Sequence, residues 1–335
     1  MRKLDALIAG STGYIGIQLI RLLLKHKNVN IKYLCGNKSI GKKISFYDKS
    51  LKSKKLPKIL KFNKKYLNNV DVIFTALPNG EAQQISKYLL KRNTLIDLAA
   101  DFRLTKSSEY KRWYNQKHKA INNIKKSIYS LPEISGNKIK KYNIIGCPGC
   151  YPTSILLPLI PLIKNKSIQT KNIIIDSKSG YSGAGKNFLK KFNSKNFYSS
   201  CASYSVYKHR HMAEIDQELK ISNYSFNPHI IPTYRGIISS IYIDVKQNNI
   251  AGRFFKILKN FYKNKYFVQI KGLNKNLGTN DVLNTNKCQI TVNKSRNSKK
   301  IIIFSVIDNL VKGAAGQAIQ NMNLLCNLKE NKGLR

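Results

Sequence analysis

The chain has 335 residues, enough for about two ordinary domains. It is 42% hydrophobic and 10% aromatic, which excludes a disordered chain, because disorder needs low hydrophobicity as well as high charge. No apolar run reaches the ~18–20 residues of a membrane helix. The nearest, Ser154 to Ile163, is short and carries Pro158 and Pro161. Six cysteines are too few for a disulfide scaffold in a chain this long and fit a reducing compartment. Met1-Arg2-Lys3-Leu4 mimics the charged start of a signal peptide. Asp5 follows and the apolar stretch is brief, so a mature, cytoplasmic start is expected.

The net charge of +44 taken alone suggests a nucleic-acid partner. However, only 10 of the 60 basic residues are Arg, and Asn and Ile are abundant. Lys, Asn and Ile share codons rich in A and T, so an AT-rich genome accounts for the composition. The lysines are dispersed, as in Lys42-Lys43, Lys54-Lys55, Lys125-Lys126 and Lys140-Lys141. A groove reader needs Arg for bidentate contacts. The expectation is a small-molecule substrate, no membrane and no dedicated nucleic-acid partner.

In chain order, Leu4 to Ala9 predicts a strand, Gly10 to Gly16 a glycine loop and Ile15 to Leu24 a helix. Further strands are predicted at Ile31 to Leu34, Val70 to Leu77, Thr94 to Ala99 and Ile144 to Gly146, with a helix at Glu81 to Leu90. Alternating β and α at this spacing predicts a parallel, Rossmann-like sheet. After residue 150, Ile173 to Ser177, Ile237 to Val245, Phe267 to Ile270, Lys287 to Val292 and Ile301 to Val306 read as strands without regular intervening helices. That predicts an α+β catalytic domain with a mixed or antiparallel sheet. Gly313 to Leu328 returns to helical spacing. The expected division is a discontinuous cofactor domain, 1–149 with 313–335, around a catalytic and dimerisation domain, 150–312.

Gly10-Ser11-Thr12-Gly13-Tyr14-Ile15-Gly16 follows a strand and opens a helix, the context of a dinucleotide pyrophosphate site. An NAD-preferring site places Asp or Glu after the second strand, toward the ribose. Here the loop reads Cys35-Gly36-Asn37-Lys38-Ser39, and between Met1 and Asp48 the only acid is Asp5. Missing repulsion and nearby donors favour a 2′-phosphate, hence NADP, with Asn37, Lys38 and Ser39 as its ligands.

Ile145-Gly146-Cys147-Pro148-Gly149-Cys150-Tyr151-Pro152-Thr153 joins a strand to an apolar helical run. Cys150 would sit at the helix N-terminus, where N–H groups and dipole favour a thiolate nucleophile. A Cys147–Cys150 redox pair, closing a disulfide on mild oxidation, competes with that reading. A zinc site does too, though Cys35, Cys201, Cys288 and Cys326 form no second pair. Five histidines are available for proton transfer: His26, His118, His209, His211 and His229. The surroundings of His26 and His118 are charged and predict solvent exposure.

Together these blocks resemble N-acetyl-gamma-glutamyl-phosphate reductase nearly end to end. The resemblance runs through the glycine loop, Ile96-Asp97-Leu98-Ala99-Ala100-Asp101-Phe102-Arg103-Leu104, Tyr129-Ser130-Leu131-Pro132-Glu133, and the cysteine turn. It continues in Ser179-Gly180-Tyr181-Ser182-Gly183-Ala184-Gly185, His209-Arg210-His211-Met212-Ala213-Glu214, Pro228-His229, Arg235-Gly236 and Gly313-Ala314-Ala315-Gly316-Gln317-Ala318. It implies NADPH-dependent reduction of an acyl phosphate to a semialdehyde through a thioester on Cys150. It also places the histidine block at the active site, with His211 the first choice as acid/base and His209 the second choice or an anion ligand. Glu214, three residues on, can orient His211 on one helical face, and Arg103 and Arg235, scarce enough that composition does not explain them, are read as substrate ligands. Pro78, Ser182, Gly183, Ala184 and Gln317 join the cofactor set, and a homodimer or homotetramer is expected. The family usually has Asn at Cys147, Pro at Ala213 and Arg at Lys186. A related enzyme acting on aspartyl phosphate or a longer amino-acid phosphate shares the cysteine–histidine logic. A basic nucleic-acid binder and a thiol–disulfide protein are the alternatives from other classes.

Overall fold

The computed structural model describes residues 2–168, 170–185, 199–246, 250–297 and 299–334. Lys186 lies outside the described residues. The chain forms two compact units, Met1–Pro148 with Ala314–Arg335, and Gly149–Gly313.

The first unit begins with β1 (Leu4–Ala9), α1 (Tyr14–Leu23) and β2 (Val29–Cys35). It continues with β3 (Ile59–Leu60), β4 (Val72–Thr75), α2 (Glu81–Ser86) and β5 (Thr94–Asp97). The short helices α3 (Ser107–Tyr114), α4 (Ile121–Ile124) and α5 (Pro132–Ser135) surround β6 (Ser127–Tyr129), and β7 (Ile144–Gly146) ends this stretch. The sheet order is β3-β2-β1-β4-β5-β7-β6, every pair parallel. The central strands are buried on both faces, so Ala6 to Ala9 and Val72 to Thr75 are near-continuous apolar runs. Leu7, Ile73, Leu95, Phe102 and Ile144 form part of one core cluster beneath them.

The second unit opens with α6 (Cys150–Lys164), then β8 (Ile173–Gly180), β9 (Ala202–Ser203), α7 (Met212–Leu219), β10 (Tyr224–Ile231) and β11 (Ile237–Asp244). It closes with α8 (Ala251–Phe261), β12 (Val268–Leu273), β13 (Cys288–Lys294) and β14 (Lys300–Ile307). Its sheet order is β12-β13-β14-β11-β8-β10-β9. Two pairs are parallel, β10 with β8 and β12 with β13; the others are antiparallel, so the sheet is mixed. The helix α9 (Gly316–Leu325) follows and belongs to the first unit, where it packs on α1, α5 and β5. The α/β class with a parallel Rossmann-like sheet and a separate mixed sheet is therefore as expected.

The short β3, β6, β9, α3, α4 and α5 are additional to the sequence reading, as are two longer elements, β10 and α8. The strand β10 contains Pro228, which masked it. Tyr204 N donates to Pro228 O, so the missing proline N–H points toward β9, whose ladder pairs only His229 and Ile230. The proline therefore costs no bond to β8. The helix α8 buries Ala251, Phe254 and Leu258, a helical spacing interrupted by lysines that weakened the signal.

Helix α6 runs through both of its prolines. Pro161 has no N–H for the carbonyl of Leu157, four residues back. The hydroxyl of Tyr262 donates to that carbonyl at 2.6 Å, replacing the lost helical bond.

Candidate active site

At the carboxyl edge of the parallel sheet, Gly10 has φ +86°, and a Cβ there would lie 2.2 Å from Ala76 O. A Cβ on Gly16 would lie 2.2 Å from Gly10 O. Both positions therefore require glycine, and the turn brings the start of α1 close over β1. Ser11 turns its hydroxyl inward to Cys35 O at 3.1 Å, fixing the loop rather than facing a ligand. The first-turn N–H groups of a helix have no carbonyl one turn back, so this end suits a pyrophosphate.

Beside it is a cleft of about 270 Å³ lined by Gly10, Gly36, Asn37, Lys61, Phe62 and Glu81, among others. These residues could hold the adenosine half of a dinucleotide. Lys38 is exposed, and Ser39 is buried, accepting from Tyr47 OH at 2.6 Å. Lys61, Phe62 and Glu81 were not anticipated. They reach the cleft because β3 pairs with β2 and α2 starts just after β4, and only the Pro78-Asn79-Gly80 turn hinted at this. Pro78 is exposed at that turn, and Gln317 is buried in α9.

Cys150 is the first residue of α6, after the cap Gly149, and is partly accessible. Glu214, fully buried on α7, accepts the Gly149 N–H through Oε2 at 2.8 Å. Its Oε1 lies 4.0 Å from His211 Nε2, an electrostatic distance rather than a hydrogen bond. The His211 ring packs so closely on Gly149 that a Cβ there would sit 2.4 Å from Nε2. Behind the nucleophile, a Cβ on Gly313 would lie 2.6 Å from Cys150 Cβ. The thiol, the imidazole and the carboxylate thus meet at one helix N-terminus, whose dipole favours the thiolate.

His209 stands beside them, its ring centroid 4.7 Å from that of His211. Burial, helped by the Arg210 charge, lowers its pKa to about 4, so the ring is neutral at pH 7. A neutral imidazole lacks the charge expected of an anion ligand. Tyr151 presents its ring edge-on to both histidines. Tyr204, not anticipated from sequence, reaches both Tyr151 OH (3.2 Å) and His209 Nε2 (3.3 Å).

The glycine loop after β8 is tied down by Asn309, another unanticipated residue. Its Oδ1 accepts from Gly236 N at 2.7 Å, and its Nδ2 donates to Ser182 Oγ at 2.9 Å. Gly183 and Ala184 are exposed on this loop. Arg235 pairs through Nε with buried Asp308 at 2.9 Å and donates to Asn284 at 2.6 Å.

In the first unit, Arg103 is buried and donates to Cys147 O at 2.7 Å and Leu98 O at 3.0 Å. Asp97 and Asp101 fold the same loop. Asp97 accepts from Thr75 Oγ1 at 2.8 Å, and Asp101 accepts from Gly80 N and Tyr110 OH, each at 2.7 Å. Burial, with Asp101 nearby, raises the Asp97 pKa to about 7. Cys147 is fully buried, and Asn321 Nδ2 donates to its sulfur at 3.7 Å. Burial pushes its pKa up to about 12, which disfavours the thiolate form that the competing redox-pair reading would use. His26 and His118 are also buried, contrary to expectation. Each uses both ring nitrogens: His26 with Asn323 and Asn28, and His118 with Asp101 and Ala120.

Comparisons with known proteins bear on this arrangement. Family models described as "Semialdehyde dehydrogenase, NAD binding domain" and "Semialdehyde dehydrogenase, dimerisation domain" match residues 5–142 and 150–309. The N-acetyl-gamma-glutamyl-phosphate reductase of Thermoanaerobacter pseudethanolicus is 42% identical, the alignment covering 98% of this chain and 96% of that protein. That of Vesicomyosocius okutanii is 43% identical with the same coverage. This chain belongs to the N-acetyl-gamma-glutamyl-phosphate reductase family. Its fold extends to more distant proteins. Aspartate semialdehyde dehydrogenase II from Vibrio cholerae superposes with a TM-score of 0.70 at 16% identity, over 98% of this chain and 99% of that one. The Candida albicans aspartate semialdehyde dehydrogenase solved with NADP gives 0.70 at 15% identity, over 97% and 98%. At these identities the likeness is one of fold, whereas the reductase family matches in sequence throughout.

Proposed function

We propose that the protein is an NADP-dependent oxidoreductase that reduces N-acetyl-L-glutamyl 5-phosphate to N-acetyl-L-glutamate 5-semialdehyde and phosphate, a step of arginine biosynthesis. The carrying observation is the near-full-length identity to reductases of that name. The meeting of Cys150, His211 and Glu214 at the N-terminus of α6 supports it.

Cys150 as thiolate attacks the acyl carbon. A C–S bond forms, the C–O bond to phosphate breaks, and His211 as imidazolium protonates the departing oxygen. Bound NADPH would supply a hydride to the thioester carbon. His211, reprotonated from water with the one proton the reaction consumes, donates to the carbonyl oxygen as that hydride would arrive. It takes the proton back as the thiohemiacetal collapses, its C–S bond breaks, and the aldehyde leaves with the thiolate restored. Glu214 acts twice, holding Gly149 N–H and favouring the imidazolium from 4.0 Å.

The cofactor would rest on the Gly10–Gly16 turn, with Asn37, Lys38 and Lys61 toward a 2′-phosphate and Thr12, Tyr14 and Ile15 at the pyrophosphate. Pro78 and Gln317 complete its proposed contacts within the first unit. Arg103 and Arg235, first expected to bind substrate, are instead assigned to shaping the loops, because their bonds run to Cys147 O, Leu98 O, Asp308 and Asn284.

A homo-oligomer belongs to this reading. Ile174, Ile238, Tyr242, Ile302 and Phe304 share one face of the mixed sheet through registered β8, β11 and β14, and are partly exposed. A cytoplasmic location is also part of it, supported by six cysteines that form no disulfide. The test is phosphate-dependent reduction of NADP⁺ with N-acetylglutamate semialdehyde beside aspartate semialdehyde. Turnover of only the second would overturn the substrate assignment.

A further inference from the structure

His209, Tyr204 and Tyr151 form a run of polar atoms whose donors and acceptors can all be assigned. The main-chain N–H of His211 points at His209 Nδ1 at 3.2 Å, so that nitrogen must accept. In a neutral ring the proton then sits on Nε2. Nε2 lies 3.3 Å from the Tyr204 hydroxyl, which must accept it. The Tyr204 proton is thereby directed to Tyr151 OH at 3.2 Å. The Tyr151 proton goes to the carbonyl of His229 at 3.1 Å, an acceptor only, while the Ser179 hydroxyl also reaches the Tyr151 oxygen. Every link runs in one direction and ends on a group that cannot return a proton.

The chain also has mechanical reach. Tyr151 follows Cys150 in the first turn of α6, and His211 caps α7. The run therefore fixes the nucleophile's helix against the main chain of His211. The groups facing His209 are Tyr151, Tyr204, His211 and Phe226, with the Arg210 charge nearby. A second imidazolium 4.7 Å from His211 would discourage protonation there. Burial pushes both phenols upward in pKa, so neither ionises near neutrality.

We propose that His209 is a positioning residue, locked as the neutral Nε2–H tautomer at the head of a one-way hydrogen-bond chain through Tyr204 and Tyr151 to His229 O. This rests on the reading of Cys150 and His211 as the reacting pair. It leaves proton transfer to His211 alone and turns His209 into the part that aims it.

The experiment is ¹⁵N-histidine NMR on the full chain from pH 5.5 to 8.5, with His209→Gln for assignment, beside kinetics of Tyr204→Phe, His209→Asn and His209→Leu. His209 is expected to show a protonated Nε2 and a bare Nδ1 throughout, with no titration. Tyr204→Phe should lower kcat about 2- to 10-fold, the loss of one hydrogen bond, with KM for both substrates within about twofold. His209→Asn, whose Oδ1 can still accept the His211 N–H, should retain more kcat than His209→Leu. Titration of His209 above pH 6, an Nδ1–H tautomer, or an unchanged kcat in Tyr204→Phe would each overturn the proposal. The tautomer measurement needs no turnover. A parent chain inactive on N-acetylglutamate semialdehyde would therefore defeat the substrate reading while the spectra still judge the chain of bonds.

Discussion

Removing the Tyr262 hydroxyl should reveal what lets a helix with two prolines carry the candidate nucleophile. Tyr262 is 3% exposed, and its hydroxyl is 2.6 Å from the Leu157 carbonyl that Pro161 leaves without a helical donor. In Tyr262→Phe that carbonyl, on a fully buried residue, loses this donor. An unsatisfied buried acceptor costs about 1–3 kcal/mol, so Tyr262→Phe should destabilise the second unit by about that much. Pro161→Ala restores an N–H aimed at Leu157 O. In that background the same Tyr262→Phe change should cost under about 1 kcal/mol, a coupling of about 1–2 kcal/mol between the positions. The single tryptophan, Trp113, lies in the first unit and will not report this event. Native-state hydrogen exchange on peptides of α6, read by mass spectrometry across a urea series, will. Equal costs of Tyr262→Phe in both backgrounds, within about 0.5 kcal/mol, would show that the hydroxyl does not substitute for the missing helical bond.

Cys150→Ser should keep NADPH binding, read by fluorescence titration, and leave less than about a hundredth of the turnover, since an alcohol is a far weaker nucleophile at neutral pH. NADPH should be preferred to NADH, and Lys38→Glu should narrow the ratio of their kcat/KM values; equal kcat/KM values for the two cofactors in the parent would contradict the 2′-phosphate argument. In single-turnover assays His211→Asn should slow hydride transfer more than His209→Asn, and the reverse order would exchange the two roles. Against the Asp97 carboxyl, whose pKa of about 7 adds stability as pH falls, the buried His26 and His118 and the half-buried His209 should remove stability below pH 6.5, because their lowered pKa values let the unfolded chain bind their protons first. In urea titrations His26→Gln should flatten that slope, and an unchanged slope would remove His26 from the account.

Much of this architecture is local in origin and therefore legible. The run Leu4 to Ala9, the glycine turn and the apolar spacing of α1 sit next to one another in the chain, and the structure follows them closely. The meeting of Glu214 with His211 follows from a three-residue offset at a helix start. Tyr204 and Asn309 were hidden because nothing in their own segments marks them. Each reaches its partners only once distant strands have paired. His26 and His118 misled for a related reason. Lysines beside them suggested water, but single side chains alternate between surface and interior, and these two turn inward onto Asn323 and Asp101. Pro228 hid β10 because the outcome depended on which neighbour its missing donor faced.

The return of α9 to the first unit has a consequence for synthesis on the ribosome. The segment from Gly149 to Gly313 is contiguous, so it can collapse as soon as it emerges. The parallel-sheet unit cannot finish then. Ser130 and Cys147 wait for Asn321, Glu133 waits for Gln320, and His26 waits for Asn323. The part that begins first is therefore closed last. Until residues 316–334 arrive, the nascent chain holds an open apolar seam along β5 and α1, a natural place for a chaperone to hold it.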